Sequence, residues 1–450
     1  MSPAAVSPAR AAAYRVLQRY GRGRGHLSDI LRADAGYAGL DDRDAGLAHE
    51  LVYGVVRRLA SLDAVLQRHA SAPLGRVEPA ALWALRLGAY QLLFLDRVPA
   101  HAAVAESVAL VRRRHAAGFV NAVLRRVAES GRAELASLTA ADDEASRALL
   151  HSVPRWLVQH LTAEWGAART ESLLAALDRP AERCLRVNRL RATVDEATES
   201  LRAGGVEATP PARGDERWPD ALVVSGGTVE RTAAFRSGLV TPQSRGSQLV
   251  CQSAAGRATP GRVIDMCAAP GIKTTHLAAL FPGAHILAVD VDEARAAEIR
   301  QMRARLHAPG IEARVADARG LPGSLDGSAD LVLLDAPCTG LGTLALQPDL
   351  RWRARAHDAG RMASLQRELL ARAERLVRPG GVVVYSVCTF TTEETVETVA
   401  AATAADGLVH EDLGSAYPVL RDPRQGGSLL VMPDLEGTTG FFIAHLRRPG

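Results

Sequence analysis

Lysine is almost absent from this sequence of 450 residues: Lys273 is the only one, and the other 53 of the 54 basic residues are arginine. A compositional bias that replaces ammonium by guanidinium groups explains the arginines but not the one exception. Lys273 lies in the segment DMCAAPGIKTTHLAAL, within a glycine- and proline-containing stretch that reads as a loop after a strand. This position favours a functional role for the lysine over chance.

Long apolar runs and paired cysteines are also missing. No apolar run approaches the ~20 residues that cross a bilayer, and the start, MSPAAVSPARAAAYRVLQRYGRGRG, lacks the apolar segment of a signal peptide. The five cysteines are odd in number and form no C-x-x-C pair, which argues against a disulfide framework and a structural zinc site; they are Cys184, Cys251, Cys267, Cys338 and Cys388. We therefore expect a cytoplasmic protein with free thiols, no bound metal and no membrane partner.

A chain of this length exceeds one hydrophobic core and should form about two to four domains. Its net charge of +4 is unevenly distributed, because residues 1–130 contain 18 arginines against 11 acidic residues, which leaves −3 for the remainder. Five arginines occur in RRRHAAGFVNAVLRRV, residues 112–127, and we expect them to lie close together. Guanidinium groups match phosphate oxygens well, although a solvated helix face is the simpler explanation of this pattern alone.

The spacing of apolar residues predicts three domains. Residues 1–140 have helical spacing throughout, and residues 150–235 predict a small α+β module in which strands CLRVNRL and ALVVSG flank the helix TVDEATESLRAGG. Residues 236–450 alternate apolar strands with helices, which is typical of a buried parallel sheet. The last strands, SLLVMP and TTGFFIAHLRR, have the spacing of an antiparallel pair added to that sheet.

Chemically active side chains follow five predicted strands of the third domain. In doubly wound sheets, ligands bind outside the carboxyl ends of the strands, so these side chains are expected to form one site. In strand order they are the loop CAAPGIK (Cys267 to Lys273), Asp290, Asp317, the segment DAPCTG with Asp335 and Cys338, and Cys388 in SVCTF.

The first loop restricts the class of ligand. An acidic residue that ends the second strand, here Asp290, can accept hydrogen bonds from ribose hydroxyls. The G-x-G-x-x-G fingerprint is absent, which disfavours a NAD-type oxidoreductase, and a Walker A loop is excluded because Ile272 separates Gly271 from Lys273. A nucleoside ligand without a diphosphate remains, and S-adenosylmethionine (SAM) fits best.

The two cysteines indicate the class of reaction. Carbon 5 of a pyrimidine attacks a methyl sulfonium poorly, but a thiolate that adds to carbon 6 makes carbon 5 nucleophilic. Cys338 and Cys388 can supply that thiolate and a group that assists its release, and the residues alone do not decide which does which. Asp335 can hydrogen-bond the Watson–Crick edge of the base and help to protonate N3. In DAPC a thiol stands where amino-group methyltransferases carry the aromatic residue of D/N-P-P-Y/F.

Several segments resemble known families. DMCAAPGIKTTHL, DAPCTGLGTL with QPDLRW, and YSVCTF resemble the motifs of RNA (cytosine-5) methyltransferases. RDAGLAHELVYGVVRR and GFVNAVLRRV resemble the NusB-type RNA-binding domain, and CLRVNRLRATVDE and GLVTPQSRGSQLV fit the region that connects the two. In combination, and over nearly the whole chain, these segments resemble the RsmB/Sun (Fmu) family of 16S rRNA (cytosine-5) methyltransferases.

This resemblance implies an all-α NusB-like domain, a small α+β connecting module and a Rossmann-like SAM-dependent methyltransferase domain. It implies Cys388 as nucleophile, Cys338 as the residue for release, and small-subunit rRNA, free or partly assembled, as partner, with no DNA expected. Ile272 and Ser244 stand where the family usually has glycine and aspartate, so the side chain of Ile272 is expected to restrict the loop or narrow the donor pocket. The implied SAM contacts are Cys267, Ala268, Ala269, Pro270, Gly271, Ile272, Lys273, Asp290, Asp317 and Asp335.

Two other functions stay open from the sequence. One is an RNA (cytosine-5) methyltransferase that acts on tRNA or on another rRNA site, and the other is a non-catalytic RNA-binding assembly protein. The helical amino-terminal domain favours the small-subunit rRNA type. The intact cofactor loop, the acidic strand ends and both cysteines argue against a protein without catalysis.

Overall fold

The computed structural model describes residues 6–23, 25–211, 215–255, 259–404 and 407–450. The amino-terminal segment that was searched for a signal peptide contains residues 1–5 and 24, which lie outside the described residues. Contacts divide the chain into two units, Met1–Asp178 with Gln347–Arg355, and Arg179–Leu346 with Ala356–Gly450. Within the described ranges, none of the helices combines the length and the apolar character that crossing a membrane requires.

The first unit is helical. Its centre is α6, which is apolar nearly all round and is therefore buried on most sides. Gly88 of α6 permits close approach to α8, because a Cβ atom there would lie 2.4 Å from the side chain of Leu124. Numbered along the chain, the helices are α1 (Pro8–Tyr20), α2 (Leu27–Arg32), α3 (Ala35–Ala38), α4 (Asp42–Arg57), α5 (Leu59–His69), α6 (Pro79–Phe94), α7 (Ala100–Ala109), α8 (Arg114–Leu138), α9 (Glu144–Leu150), α10 (Arg155–Trp165) and α11 (Ala167–Leu177), with a 3-10 turn at Leu74–Arg76.

The five arginines of residues 112–127 do not share one helix. Helix α7 ends at Ala109 and α8 begins at Arg114, so Arg112 and Arg113 precede the helix. Arg125 and Arg126 follow Arg114 by three turns, which is about 16 Å along the axis. All five side chains are exposed, but the expected close cluster is wrong: the arginines form two groups, residues 112–114 and residues 125–126, because three turns of α8 separate them.

A segment from the carboxyl-terminal half completes the helical unit. Gln347–Arg355 contains the short helix α17 (Leu350–Arg353), whose Arg351 is fully buried. Its guanidinium donates hydrogen bonds to the carbonyl oxygens of His151 (2.8 Å) and Leu177 (2.6 Å) and to Oδ1 of Asp178 (2.9 Å). Burial lowers the pKa of Arg351 to about 10 although Asp178 opposes that effect, so the arginine stays charged at neutral pH.

The second unit begins with a small four-stranded antiparallel sheet in the order β2-β3-β1-β4. Thr193 and Glu196 form a reciprocal capping box at the start of α12, which satisfies backbone donors there. These elements confirm the α+β module expected from the sequence. They are β1 (Cys184–Val187), α12 (Val194–Ala203), β2 (Ala208–Thr209), β3 (Ala221–Val224), a 3-10 turn at Val229–Arg231, α13 (Ala233–Arg236) and β4 (Val240–Pro242).

The larger sheet of this unit has the order β10-β12-β9-β8-β5-β6-β7, and β11 pairs with β12. Strands β5 to β9 are parallel, whereas β10, β11 and β12 are antiparallel, which confirms the predicted sheet and its terminal pair. The strands are β5 (Arg262–Asp265), β6 (His285–Asp290), β7 (Ile311–Val315), β8 (Ala329–Asp335), β9 (Val377–Val387), β10 (Val409–His410), β11 (Leu429–Val431) and β12 (Phe441–Arg447). The helices are α14 (Arg245–Gln252), α15 (Ile272–Leu280), α16 (Glu293–Leu306), α18 (Asp358–Leu376), α19 (Val396–Thr403) and α20 (Pro433–Glu436), with 3-10 turns at Ala318–Gly320, Gly323–Leu325, Leu341–Thr343 and Pro418–Leu420.

Strand order locates the expected ligand edge. The chain passes from β5 outward to β6 and β7 and then returns to the other side of β5 as β8, so the order reverses beside β5. The carboxyl ends of parallel strands at such a reversal are where open α/β sheets bind ligands. The domain ranges 1–140, 150–235 and 236–450 remain predictions; by contacts, residues up to Asp178 group with the helical unit.

Candidate active site

The loop between β5 and α15 folds against the end of β6. The amide of Ala268 donates to the carbonyl of Val289 (2.9 Å), and the amide of Gly271 donates to the carbonyl of Ala268 (2.7 Å). Gly271 has a φ of 95° in the left-handed region, and a Cβ atom there would lie 3.2 Å from the backbone of Ile299. Glycine is therefore required at the point where the loop turns into the helix.

Asp290 lies beside this loop, as expected for a residue that ends the second parallel strand. Its side chain is 5% exposed. Oδ2 accepts a hydrogen bond from the amide of Ala269 (3.3 Å) and Oδ1 accepts one from the amide of Asp292 (3.2 Å). The structure thus brings Asp290 and the loop of residues 267–273 together.

Asp265, at the end of β5, is a further candidate site residue, which the sequence pattern was not used to predict. Its side chain is buried, and Oδ2 accepts a hydrogen bond from the hydroxyl of Thr274 (2.6 Å). Oδ1 is buried without a hydrogen-bond partner among the described residues, and burial raises the pKa of Asp265 to about 7 despite the bond from Thr274. A buried acceptor beside a small loop fits a ligand that brings hydrogen-bond donors, such as the ammonium of SAM. The signal was available, because Asp265 ends its strand as Asp290 and Asp335 end theirs.

The single lysine is paired with a carboxylate of the neighbouring strand. Nζ of Lys273 lies 2.6 Å from Oδ2 of Asp335 and 4.9 Å from the centre of the Phe441 ring. Oδ1 of Asp335 accepts a hydrogen bond from the hydroxyl of Ser386 (2.7 Å). Burial alone would lower the pKa of Lys273, but the charge of Asp335 outweighs it and the pKa is raised. The lysine therefore stays charged and fixes the Asp335 carboxylate.

The two cysteines of the predicted site are in contact. Cys338 follows β8 and Cys388 follows β9, and these strands pair in parallel, so their carboxyl ends meet. The Sγ atoms lie 3.3 Å apart, and both thiols are free and half-buried. The hydrogen bond to Cys388, together with burial, raises the pKa of Cys338 well above its usual value. Cys338 therefore stays a thiol at neutral pH.

Other residues predicted for the site have different surroundings. Asp317 follows β7 but is exposed. In the described part of the chain its carboxylate accepts hydrogen bonds from Arg319, which lowers the pKa of Asp317, and none from the loop of residues 267–273. Cys267 is half-buried, and burial raises the pKa of its thiol. Ile272 opens α15, where its carbonyl accepts a hydrogen bond from buried Arg186 (2.9 Å). Ser244 caps α14.

Comparisons with known families match all three parts of the chain. The family described as NusB matches residues 7–129, the RsmF/B-like ferredoxin-like domain matches residues 153–228, and 16S rRNA methyltransferase RsmB/F matches residues 258–447. A probable ribosomal RNA small subunit methyltransferase B of Bacillus subtilis is 32% identical, over 91% of this chain and 92% of that protein. The chain belongs to the RsmB family of 16S rRNA methyltransferases. RsmB/F methyltransferases use SAM, and SAM is the cofactor of this chain.

Further similarities cover between two thirds of this chain and nearly all of it. A putative methyltransferase of Mycobacterium tuberculosis is 36% identical over 98% of this chain and 97% of that protein. The crystal structure of PH0851 is 26% identical, with a TM-score of 0.82 over 99% of this chain and 100% of that one. NSun6 from Pyrococcus horikoshii, solved with SFG, has a TM-score of 0.59 and 22% identity over 66% of this chain and 98% of that one, and supports the fold alone.

Proposed function

We propose that this protein methylates carbon 5 of a cytosine in 16S rRNA through a covalent bond between Cys388 and carbon 6. The observation that carries the proposal is the contact of the two thiols, with Sγ atoms 3.3 Å apart at the ends of adjacent strands. The pair of Lys273 and Asp335 lies at the end of one of those strands. Thiol addition needs a nucleophile, a proton acceptor and a group that binds the ring nitrogens, and these residues supply all three.

The cofactor would be held by the loop of residues 267–273 together with Asp290 and the unpaired oxygen of Asp265. SAM supplies an electrophilic methyl group, which carbon 5 of the activated ring accepts. Asp317 is kept as a proposed contact, and its carboxylate would have to exchange its bonds with Arg319 for bonds to the ligand.

The chain's own groups prepare the base. The thiolate of Cys388 forms a bond to carbon 6, and the electron pair of the ring double bond moves toward carbon 5 and N3. Asp335, fixed by Lys273 and Ser386, is placed to hydrogen-bond the Watson–Crick edge, and the proton that N3 takes up comes from this pair and later returns to it. The assignment of Cys388 as nucleophile agrees with the raised pKa of Cys338, which keeps the proton on Cys338.

Release reverses the addition. The Cys338 thiol first gives its proton to water. Its thiolate then removes the proton from carbon 5, the electron pair of that C–H bond re-forms the double bond between carbons 5 and 6, and the electron pair of the broken bond between sulfur and carbon 6 returns to Cys388. The largest contribution to the raised pKa of Cys338 is its hydrogen bond with Cys388. At that stage the Cys388 sulfur is a thioether, and this contribution is lost. The pKa of Cys338 therefore falls, and its thiolate can form and act as the base.

Trapping of the covalent intermediate tests the mechanism. We expect Cys388→Ala to abolish methylation and to leave no RNA adduct, and Cys338→Ala to permit addition and then stall as protein joined to RNA on a denaturing gel. RNA with fluorine at carbon 5 of cytosine should trap the wild type, because no proton can be removed. Cys184→Ala, in the small sheet, is the control and should behave as the wild type. An adduct with Cys388→Ala would reverse the two roles, and no adduct in any case would exclude thiol addition.

The substrate is tested separately by bisulfite sequencing of RNA from cells with and without this protein. A 5-methylcytosine of 16S rRNA that disappears with the protein is the expected result. If a tRNA position disappears instead, the target is wrong although the chemistry stands. If no position changes, carbon 5 of cytosine is not the methylated atom.

A further inference from the structure

A buried carboxylate lies behind the two thiols. The side chain of Glu394 is 0% exposed and belongs to a turn after β9. Oε1 accepts hydrogen bonds from the amide of Thr339 (2.8 Å) and from Nε2 of Gln366 (3.2 Å), while Oε2 accepts from the hydroxyls of Thr339 (2.5 Å) and Thr391 (2.9 Å). All four donors are neutral, and a buried carboxylate is tolerated only when its acceptor sites are filled in this way.

These bonds fix the loop that carries Cys338 from both sides. Thr339 follows Cys338 and gives both its amide and its hydroxyl to Glu394. Gln366 donates to Glu394 and also to the carbonyl of Pro337 (2.9 Å), the residue before Cys338. The backbone on each side of this thiol is therefore tied, directly or through Gln366, to one carboxylate.

The same carboxylate reaches the segment that carries Cys388. Thr391, three residues after Cys388, donates to Glu394, and the hydroxyl of Thr389, the next residue after Cys388, lies 3.0 Å from that of Thr339. Two loops that end different strands are thus joined through one side chain. The sequence indicated none of this, since Glu394 stands in the polar run TFTTEET and has no pattern that distinguishes it from a surface residue.

The charge of Glu394 also acts on Cys338. The pKa of Cys338 is raised first by the hydrogen bond to Cys388 and by burial, and then by the charges on Cys388, Glu394 and Asp335. Burial raises the pKa of Glu394 itself, while its hydrogen-bond donors favour the ionised form. Removing the charge at Glu394 while keeping its shape should therefore lower the pKa of Cys338.

We propose that Glu394 is a positioning residue that holds the loops of Cys338 and Cys388 together and so keeps the two sulfur atoms in contact. The consequence for methylation rests on the proposed function, because only thiol addition requires both sulfurs at one base. The contact between the sulfurs is a property of the fold and can be measured without RNA.

Oxidation by diamide measures that contact in the full-length protein. The two thiols lose two protons and two electrons to diamide and form a disulfide between Cys338 and Cys388, which peptide mass spectrometry identifies. We expect Glu394→Gln to slow this reaction at least tenfold, because glutamine keeps one acceptor oxygen but its amide nitrogen cannot accept the two hydrogen bonds that the other oxygen of Glu394 receives. Glu397→Gln, an exposed glutamate one turn away, is the matched control and should stay within twofold of the wild type. Equal rates for Glu394→Gln and the wild type would overturn the proposal.

A pH profile separates positioning from general damage to the fold. Alkylation of Cys338 by iodoacetamide should begin at lower pH in Glu394→Gln than in the wild type, because a negative charge has been removed; an unchanged profile would contradict the proposed arrangement. If Glu394→Gln does not fold, Thr339→Val replaces it, since this change removes one of the four bonds. Thr339→Val should slow disulfide formation about threefold or more, and a wild-type rate would again overturn the proposal.

The two proposals fail in different ways. If the wild type forms no adduct with fluorinated RNA but Glu394→Gln still slows the diamide reaction, thiol addition is wrong and the positioning role stands. If the wild type forms the adduct and Glu394→Gln methylates RNA with unchanged kcat and KM, the positioning role is wrong and the chemistry stands. We expect kcat to fall tenfold or more in Glu394→Gln while KM for RNA changes less than threefold.

Discussion

The buried carboxyl group of Asp265 should lower the free energy of unfolding as the pH rises, and the substitution Asp265→Asn should remove this dependence. Its side chain is 1% exposed, and one of its two oxygens is buried without a partner among the described residues. Asp265→Asn keeps the shape and the oxygen that accepts the bond from Thr274, but it cannot ionise. The variant therefore isolates the free energy of burying this charge.

The size of this change in the free energy of unfolding follows from the two pKa values of Asp265, which are about 7 in the folded protein and 3.8 for an ordinary aspartate. Below pH 3.8 the group is neutral in both states and has no effect. Between pH 3.8 and 7 the unfolded chain ionises while the folded chain does not, so the free energy of unfolding falls by about 1.4 kcal/mol per pH unit. Above pH 7 the loss is constant, at about 4 kcal/mol.

Thermal denaturation of the ligand-free variants between pH 5 and 8 measures this effect. Asp265→Asn should gain about 3 kcal/mol over the wild type between pH 5 and 7 and little more above. Asp317→Asn is the control, because the pKa of exposed Asp317 is lowered by Arg319 and the group does not titrate in this range. Only differences between variants are compared, since a chain of two units need not unfold in one step. A constant difference between Asp265→Asn and the wild type would refute the reasoning.

Three further predictions concern other parts of the chain. Asp290→Ala should weaken SAM binding by about 1–3 kcal/mol in calorimetric titration, and an unchanged affinity would mean that the cofactor is misplaced. Replacing Arg112, Arg113 and Arg114 together should make the dependence of RNA binding on salt less steep; an unchanged slope would mean that these residues are merely solvated. Arg351→Ala should destabilise the helical unit by about 3–5 kcal/mol in chemical denaturation, whereas the half-exposed Arg353→Ala should cost little, and equal losses would contradict the buried network.

The parallel sheet could be predicted because its strands are nearly continuous apolar runs separated by amphipathic helices. The residues at the strand ends followed from the same pattern, since parallel strands present their carboxyl ends at one edge. The contact of Cys338 with Cys388 and the pair of Lys273 with Asp335 were therefore within reach of the sequence. The choice of nucleophile was not, because both thiols follow strands in the same way.

Other features depend on contacts between distant residues and leave no local pattern. The proposed role of Glu394 depends on its bonds with Thr339 and Gln366, which lie 55 and 28 residues earlier. The break between α7 and α8 contains neither proline nor glycine, so the arginines of residues 112–114 read as part of a helix. Gln347–Arg355 joins the helical unit through the contact of Arg351 with Asp178. The spacing of apolar residues cannot predict such a pairing.

The place of Gln347–Arg355 in the helical unit affects how that unit folds during synthesis of the chain. Arg351 is synthesised 173 residues after Asp178, which at 5–20 residues per second corresponds to roughly 9–35 s. During this interval Asp178 and the carbonyls of His151 and Leu177 lack the guanidinium that they bind in the finished fold, while Arg179–Leu346 is already leaving the ribosome. The helical unit, whose synthesis starts first, is therefore completed late. A nascent chain that has reached only Asp178 still lacks Gln347–Arg355, the nine residues that include Arg351.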